Sequence, residues 1–568
     1  MNITTAHKLI FISIILLQFA CRDAKKDPVA INALIPDLKR GEVISCGPVD
    51  GKVFGTVSFT ASVPRELQAD FNMGIALLHS FEYDESEKMF AKVIDHAPRC
   101  AMAYWGVAMS NLHTLWAAPM ADELEKGKKA IAIAKSIEDK TDRESDYINA
   151  LGKFYEATDT RTHRERLMDF EKAMAAVYEK YKNDKEAVIF YALSLNAAAD
   201  PTDKTYSNQK KAISILMPLF ETEPMHPGVA HYIIHNSDYP ELAAMALPAA
   251  RKYATIAPAS SHALHMPSHI FTRLGLWDEC IQSNSVAQSA AQCYAEQAKL
   301  NGHWDEELHV TDYLVYAYLQ KGQDKMAKKE VDYLLSFDKV EPLNFKTAYT
   351  FAASPARYLL ERKKWKDAAE YRLHPASFPW EKYPWQKALV HFTRMLGAVN
   401  TNDLAKAKVE LRSLDSIYAV LKPQKEKQKE AAQVAVQVKT AEAWITFKEG
   451  DTPKALELMA TAADMEDGME KHPVTPGEIV PARELLGEML LQSGQPKEAV
   501  TAFELSLANH NNRFNSLYGA AIAAMQSGQT EKVILFLKQV FTFADPKNIE
   551  RDEFRKAQAI LSKVDTNQ

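Results

Sequence analysis

Eight of the chain's 17 histidines fall between residues 226 and 309: His226, His231, His235, His262, His265, His269, His303 and His309. Two runs stand out, HYIIH with His231 and His235, and HALHMPSH with His262, His265 and His269. Intervals of three or four place side chains on one helix face, and neutral imidazole is the commonest side-chain ligand for Zn, Cu, Fe or Ni. The chemistry in view is metal binding. The expected ligands are drawn from His231, His235, His265, His269 and His309, with Asp238 or Asp312 as a carboxylate ligand or as the group that orients one. Zn is the default ion, with Fe and Cu open. Without an ion, the same residues make a hydrogen-bonding groove.

Several reaction classes lack their signature. His231 is followed by Tyr232, Ile233 and Ile234, where a zinc protease needs a Glu as base, and GxSxG, a phosphate loop and a GxGxxG turn are all missing from the sequence. An enzyme built here would take its base from Asp238, Asp312, Glu306 or Glu307 and its nucleophile from metal-bound water. Lys plus Arg number 68 against 74 Asp plus Glu, a net charge of -6, and no basic run interleaved with aromatics is present. Nucleic acid is therefore not an expected partner.

The elements that must position these side chains are helices. Apolar residues recur three and four apart along most of the chain, Gly (20) and Pro (26) are scarce in 568 residues, and clean strand alternation occurs only in Val53–Phe59. The segment from Phe71 to Ser110 carries Gly74, Ser86, Phe90 and Pro98, and PARELLGEMLLQSGQPKEAVTAFELSLANHNNRF repeats the spacing with Gly487, Ala499 and Phe503, Asn511 taking the place of Pro. HALHMPSHIFTRLGLWDECIQSNSVA and ELHVTDYLVYAYLQKGQDKMAKKEVDYLL are two further units. This small, large, Pro pattern resembles the tetratricopeptide repeat (TPR), and it predicts an all-α, TPR-like solenoid of stacked helical hairpins with a short extended lead-in.

Repeat register places some of these residues more closely. If Cys280 and Ala327 are the same small residue of two units, the positions one helix earlier are His262 and His265 in one unit and His309 and Asp312 in the other. His79 and His113 stand one repeat apart. In TPR folds these slots face the concave groove, so His79, His113, His262, His265, His269, His309 and Asp312 are expected to look into one channel. Pro267 cannot sit inside a helix without a kink and is expected in a first turn, with His262 and His265 in the loop before it. Arg513, Asn515 and Tyr518 take groove-facing slots near the C-terminus, where Arg can clamp a carboxylate or phosphate or close a plain salt bridge between repeats. AADPTDKTY, with Asp203 and Lys204, and the Pro-rich KHPVTPG before PARE are expected mainly to shape connections.

Residues 1–21, with Lys8, an apolar run to Leu17 and Ala20–Cys21, have the form of an export signal and resemble the lipobox of bacterial lipoproteins, with Cys21 as the lipidated residue. That resemblance implies an exported chain held at the cell envelope by its lipid, on a periplasmic or surface face. The other cysteines, Cys46, Cys100, Cys280 and Cys293, match no zinc module and are expected to be buried thiols. The segments read as 1–20 signal, 21–62 tether and lead-in, 63–121 TPR pair, 122–225 degenerate hairpins, 226–340 His-rich core, 341–445 hairpins and 446–568 C-terminal TPR units.

LLHSF, AYWG, HYIIH, HALHMPSHIFTRLGLWDE, DYLVYAYLQ, KHPVTPG with PARELLGE, and NRFNSLYGA together are similar to a group of exported bacterial TPR proteins over roughly residues 50–540. The group brings no activity with it. The expected function is an envelope-anchored binding module whose His-lined concave groove, with His79, His113, His262, Asp238, Arg513, Asn515 and Tyr518 as ligand contacts, takes a peptide, small molecule or partner protein, with or without a metal. The alternatives are a metal-dependent enzyme, hydrolytic or oxidative, and an assembly scaffold.

Overall fold

The computed structural model describes residues 33–115, 118–544 and 551–565. The signal segment and Cys21 lie outside the described residues. Among those residues the chain is almost wholly helical, and each helix packs chiefly on the one before and the one after it. An all-α, TPR-like solenoid of helical hairpins is the result. No described helix is long and apolar enough to cross a membrane.

The small and large repeat positions do the packing. Phe90 lies between Gly74 and Gly106, where a Cβ atom would approach its ring to 3.0 and 2.5 Å. Phe503 lies in the same way, and at the same spacing in sequence, between Gly487 and Gly519, with approaches of 2.8 and 2.5 Å. A side chain at any of these glycines would force the helices apart. Hairpins turn through a left-handed residue, a Gly at 275, 322, 450, 494 and 528, because the lack of a Cβ removes the steric cost of positive φ. At the equivalent turn between Gln68–His79 and Tyr83–His96 the residue is Phe81, with φ 58°.

Val53–Phe59 is extended but forms no strand. It runs between two loops, with Thr56 N–H donating to Met225 C=O (2.9 Å) and Ala259 N–H to Val53 C=O (3.2 Å), while Phe54 and Phe59 are buried. The alternation reflects burial of one edge of a single extended segment, with no neighbouring strand to pair with it. The described strands are a two-residue parallel pair, His303–Trp304 and Val340–Glu341. Two of the four cysteines expected as thiols are joined, Cys46 to Cys293, fastening the lead-in to the helix Trp277–Gln297, while Cys100 and Cys280 are free and buried.

The superhelix turns far enough for distant units to meet. Trp277 Nε1 donates to Asn512 C=O (3.0 Å), Asn511 Nδ2 to Arg273 C=O (2.9 Å), and Arg551 pairs with Asp324 (2.8 Å). The KHPVTPG segment, expected only to shape a connection, passes through the interior. Lys471 reaches Asp238 (2.7 Å), His472 stacks on Phe345 (4.5 Å between centroids), and Arg357 donates to the carbonyls of Gly477 and Glu478. Residues 471–478 thus pack against helices far away in the sequence.

Candidate metal centre

Four short structural decisions bring the histidines together. His231 and His235 lie on the helix Pro227–Asn236, which Pro227 opens at its first turn. His262 and His265 lie on the five-residue helix Ser261–His265, where Ser260 caps the N-terminus by accepting from Ala263 N–H (3.1 Å). Pro267 opens the next helix, Pro267–Leu274, which carries His269. His262 and His265 therefore occupy a helical turn of their own instead of the loop expected before Pro267, because the break falls at Met266. His309 comes from Asp305–Gln320.

Two triads result. In His231, His235 and His262, and in His265, His269 and His309, one ring nitrogen from each residue lies within 4.8 Å of the other two. Ring centroids of His262 and His265, and of His235 and His269, are 6.4 Å apart, about the same as the longest separations inside the triads, 6.3 and 6.2 Å. The triads share a wall.

Three of the outer nitrogens are held by acceptors. His231 Nδ1 donates to the carbonyl of His79 (2.6 Å), His265 Nδ1 to Asn284 Oδ1 (2.6 Å) and His269 Nδ1 to Asp238 Oδ2 (3.0 Å). Asn284 is itself oriented, since its Nδ2 donates to Cys280 C=O (2.8 Å). His262 Nδ1 lies 3.8 Å from Glu306 Oε2. With the proton on Nδ1, the Nε2 lone pair points inward. Inside, His231 Nε2 faces His262 Nε2 at 3.2 Å, and His265 Nε2 faces His269 Nε2 at 3.1 Å. His235 Nε2 is buried with no hydrogen-bond partner.

Burial disfavours the charged form of five of these rings. Burial, followed by the adjacent imidazoles, holds His231, His235, His265 and His309 well below the ordinary imidazole value, and burial outweighs Asp238 in lowering His269. Burial pushes the Asp238 carboxyl up, yet Lys471 and Arg273 outweigh it and keep Asp238 ionised. Glu306 is likewise kept ionised against burial by Lys346 and His262. The facing Nε2 lone pairs of His265 and His269 repel unless a cation lies between them, and three imidazoles around a shared point are the donor set of Zn and its transition-metal neighbours.

Aromatic rings close both triads. Phe81 stands 4.4, 5.3 and 5.6 Å from His231, His235 and His262, and Tyr313 stands 4.8, 5.1 and 5.4 Å from His265, His269 and His309. Positive φ is rare for a bulky residue, and here it delivers the Phe81 ring onto the first triad. Burial raises the neighbouring Glu82 carboxyl to about 8, and Ser260 Oγ donates to it (2.6 Å).

The remaining expected residues fall elsewhere. Asp312 belongs to neither triad; Arg357 Nε (3.1 Å) and Ser354 Oγ (2.9 Å) take its Oδ1. His79 supplies a backbone carbonyl to His231, while its ring joins Glu186 (2.9 Å) and Tyr232 (2.9 Å). Glu186 also accepts from His226 Nε2 (2.9 Å), so His79, Glu186 and His226 form a third cluster, in which the imidazoles meet a carboxylate and His226 Nδ1 is buried without a hydrogen-bond partner. His113 is turned toward Tyr83 and Glu123 and joins neither triad. Arg513 does clamp carboxylates, but they are the chain's own Glu361 and Glu484, with Asn515 on Glu361 (2.7 Å) and Tyr518 stacked on Phe514. Asp238 orients His269 as a carboxylate partner and is held by Arg273 (2.8 Å) and Lys471.

Sequence reasoning did not single out Phe81, Asn284, Tyr313, Glu186 or Gly228. A Cβ on Gly228 would come within 2.7 Å of the His79 ring. The available signal was Phe81 itself, a large residue at a hairpin turn where other units carry Gly.

The sequence matches no protein-family model and no curated protein. Solved structures share a loose likeness. Yeast Tom70 has 11% identity and a TM-score of 0.34, with 89% of this chain and 96% of that one covered. The Naa15/Naa10 complex bound to HypK-THB has 12% identity and a TM-score of 0.22, covering 89% and 74%. The APC/C hetero-tetramer Cut9–Hcn1 has 12% identity and a TM-score of 0.28, covering 89% and 97%. At these scores the likeness carries no argument, and the helical architecture rests on the chain's own packing.

Proposed function

We propose that this chain is an exported, envelope-anchored metalloprotein whose solenoid interior holds two adjacent transition-metal ions, one on His231, His235 and His262 and one on His265, His269 and His309. The carrying observation is the 3.1 Å approach of His265 Nε2 and His269 Nε2, rings whose Nδ1 protons are both committed, with the 3.2 Å approach of His231 Nε2 and His262 Nε2 beside it. An all-imidazole donor set favours Zn, Cu, Fe or Ni over Mg or Ca, which prefer oxygen. Three protein ligands leave an open position on each ion, the arrangement of catalytic instead of structural sites, and this favours a metal-dependent enzyme. Export draws support from the Cys46–Cys293 bond, since disulfides persist in oxidising compartments.

Stacked helical hairpins serve protein binding or scaffolding in general.

Metal analysis of the purified protein tests the proposal. Two equivalents are expected, with one lost in His231→Ala and the other in His265→Ala. Protein that refolds with Zn, Cu, Fe and Ni each supplied, yet retains none after desalting, would overturn it.

A further inference from the structure

The cluster of His79, Glu186 and His226 belongs to neither triad, and its donor set is different: two imidazoles and a carboxylate. Its members come from three helix ends. His79 is the last residue of Gln68–His79, Glu186 lies in the first turn of Lys185–Ala198, and His226 immediately precedes Pro227–Asn236. One ligand atom from each lies within 4.8 Å of the other two, and the residues are 0, 3 and 5% exposed. Glu186 Oε2 stands 2.9 Å from His79 Nε2, and Oε1 stands 2.9 Å from His226 Nε2. Metal bonds of about 2 Å at tetrahedral angles set donor atoms about 3.3 Å apart, so an ion needs this group to open by only a few tenths of an ångström.

Charge supplies the reason for an ion. Burial pushes the Glu186 carboxyl up, yet His226 and His79 outweigh it and keep it ionised. Among the described residues those two imidazoles are its ion-pair partners. Arg143, whose field reaches Glu186, is itself engaged by Asp184 (2.6 Å) and the carbonyl of Thr60 (2.6 Å). With both rings neutral, a buried carboxylate would have no cation in contact, which is costly. Burial opposes a proton on His79. At His226, Nδ1 is buried with no partner; it is a lone pair when the ring is neutral and an N–H when the ring is charged, so hydrogen bonding within the cluster leaves this ring incomplete in either state.

We propose that His79, Glu186 and His226 form a third metal site, for Zn(II) or Fe(II). Two His and one carboxylate, with further positions open, are the donor set shared by these two ions. The site has no ligand in common with the two-ion centre and stands without it. The Tyr232 ring separates the two, 5.5 Å from the rings of both His79 and His231, and its hydroxyl lies 2.9 Å from His79 Nδ1.

The test counts metal retained after desalting, with Zn(II) and, under argon, Fe(II) supplied separately. One of them should add a third equivalent to the two of the triads, and Glu186→Gln should lower the count by one. His231→Ala combined with His265→Ala should still retain one equivalent, and adding Glu186→Gln should remove it. Anomalous diffraction from wild-type crystals grown with the retained ion should show a peak between His79, Glu186 and His226, whether or not any variant folds. A wild-type count that Glu186→Gln leaves unchanged, or the absence of that peak, would overturn the third site and assign the missing charge to a proton on His226. Two equivalents in the wild type and none in the His231→Ala, His265→Ala protein would overturn the third site and leave the two-ion centre standing. A single equivalent that survives in that protein and is lost with Glu186→Gln would do the reverse.

Discussion

Replacing Asp238 by Asn tests the centre at one bond. Asp238 Oδ2 stands 3.0 Å from His269 Nδ1; allowing for the ring and a metal–nitrogen bond of about 2 Å, an ion on Nε2 sits about 7 Å from the carboxylate. A unit negative charge at that distance from a divalent ion contributes about 5 kcal/mol at an effective dielectric constant near 20. The amide oxygen of Asn can still accept from Nδ1, so the hydrogen bond, worth about 1 kcal/mol, is largely kept. Loss of charge therefore dominates, and it also leaves Arg273 and Lys471 without their shared counter-ion. Screening by Glu306 and by water reduces the Coulomb figure, and changes to ligand-orienting groups cost about 10- to 100-fold in affinity, or about 1.4–2.7 kcal/mol. Competition with a chelator, following both ions separately, should show the ion on His265, His269 and His309 weakened by about that factor and the ion on the first triad weakened less. Unchanged affinity for both ions in a folded Asp238→Asn protein would refute the assignment of Asp238 to His269 and the charge argument behind it.

Two further outcomes follow from the same structure. Because burial depresses His231, His235, His265, His269 and His309, the unfolded chain binds protons below the ordinary value near 6.5 that the folded metal-free chain refuses. Stability is then fully present above pH about 6.5 and falls as pH drops below it, by about 1.4 kcal/mol per pH unit for each such ring. Denaturant midpoints of metal-free protein should begin to fall near pH 6.5, metal should move the onset to lower pH, and a flat profile down to pH 5 would contradict the depressed rings. Gly106→Ala, whose Cβ would meet Phe90 at 2.5 Å, should destabilise by about 1–3 kcal/mol, and adding Phe90→Leu should recover part of that loss; thermal unfolding of the single and double variants measures both.

The histidine runs could be read from the sequence because a helix fixes the neighbours at intervals of three and four, which paired His231 with His235 and His265 with His269. Register extended this to His262 and His309, since equivalent positions of stacked hairpins face the same way. The same register placed Asp312 and His113 with them, where it failed: Arg357, from the next unit, takes Asp312, and Glu123, from the following helix, draws off His113. A repeat frame gives the direction of a side chain but not the charge it meets.

Sequence alone determined the helical hairpins, because Gly, Phe and Pro at fixed spacing dictate close antiparallel packing whatever lies further along the chain. It also concentrated the imidazoles in one stretch. Only the tertiary structure decided that they divide into two triads, that Phe81 and Tyr313 cap them, and that Lys471 arrives from the far end of the chain to hold Asp238. Those facts depend on the summed rotation of many repeats, which brings residues 470–512 back onto 204–277. A small change in the angle per hairpin accumulates over the whole superhelix, and no local pattern of residues records that sum.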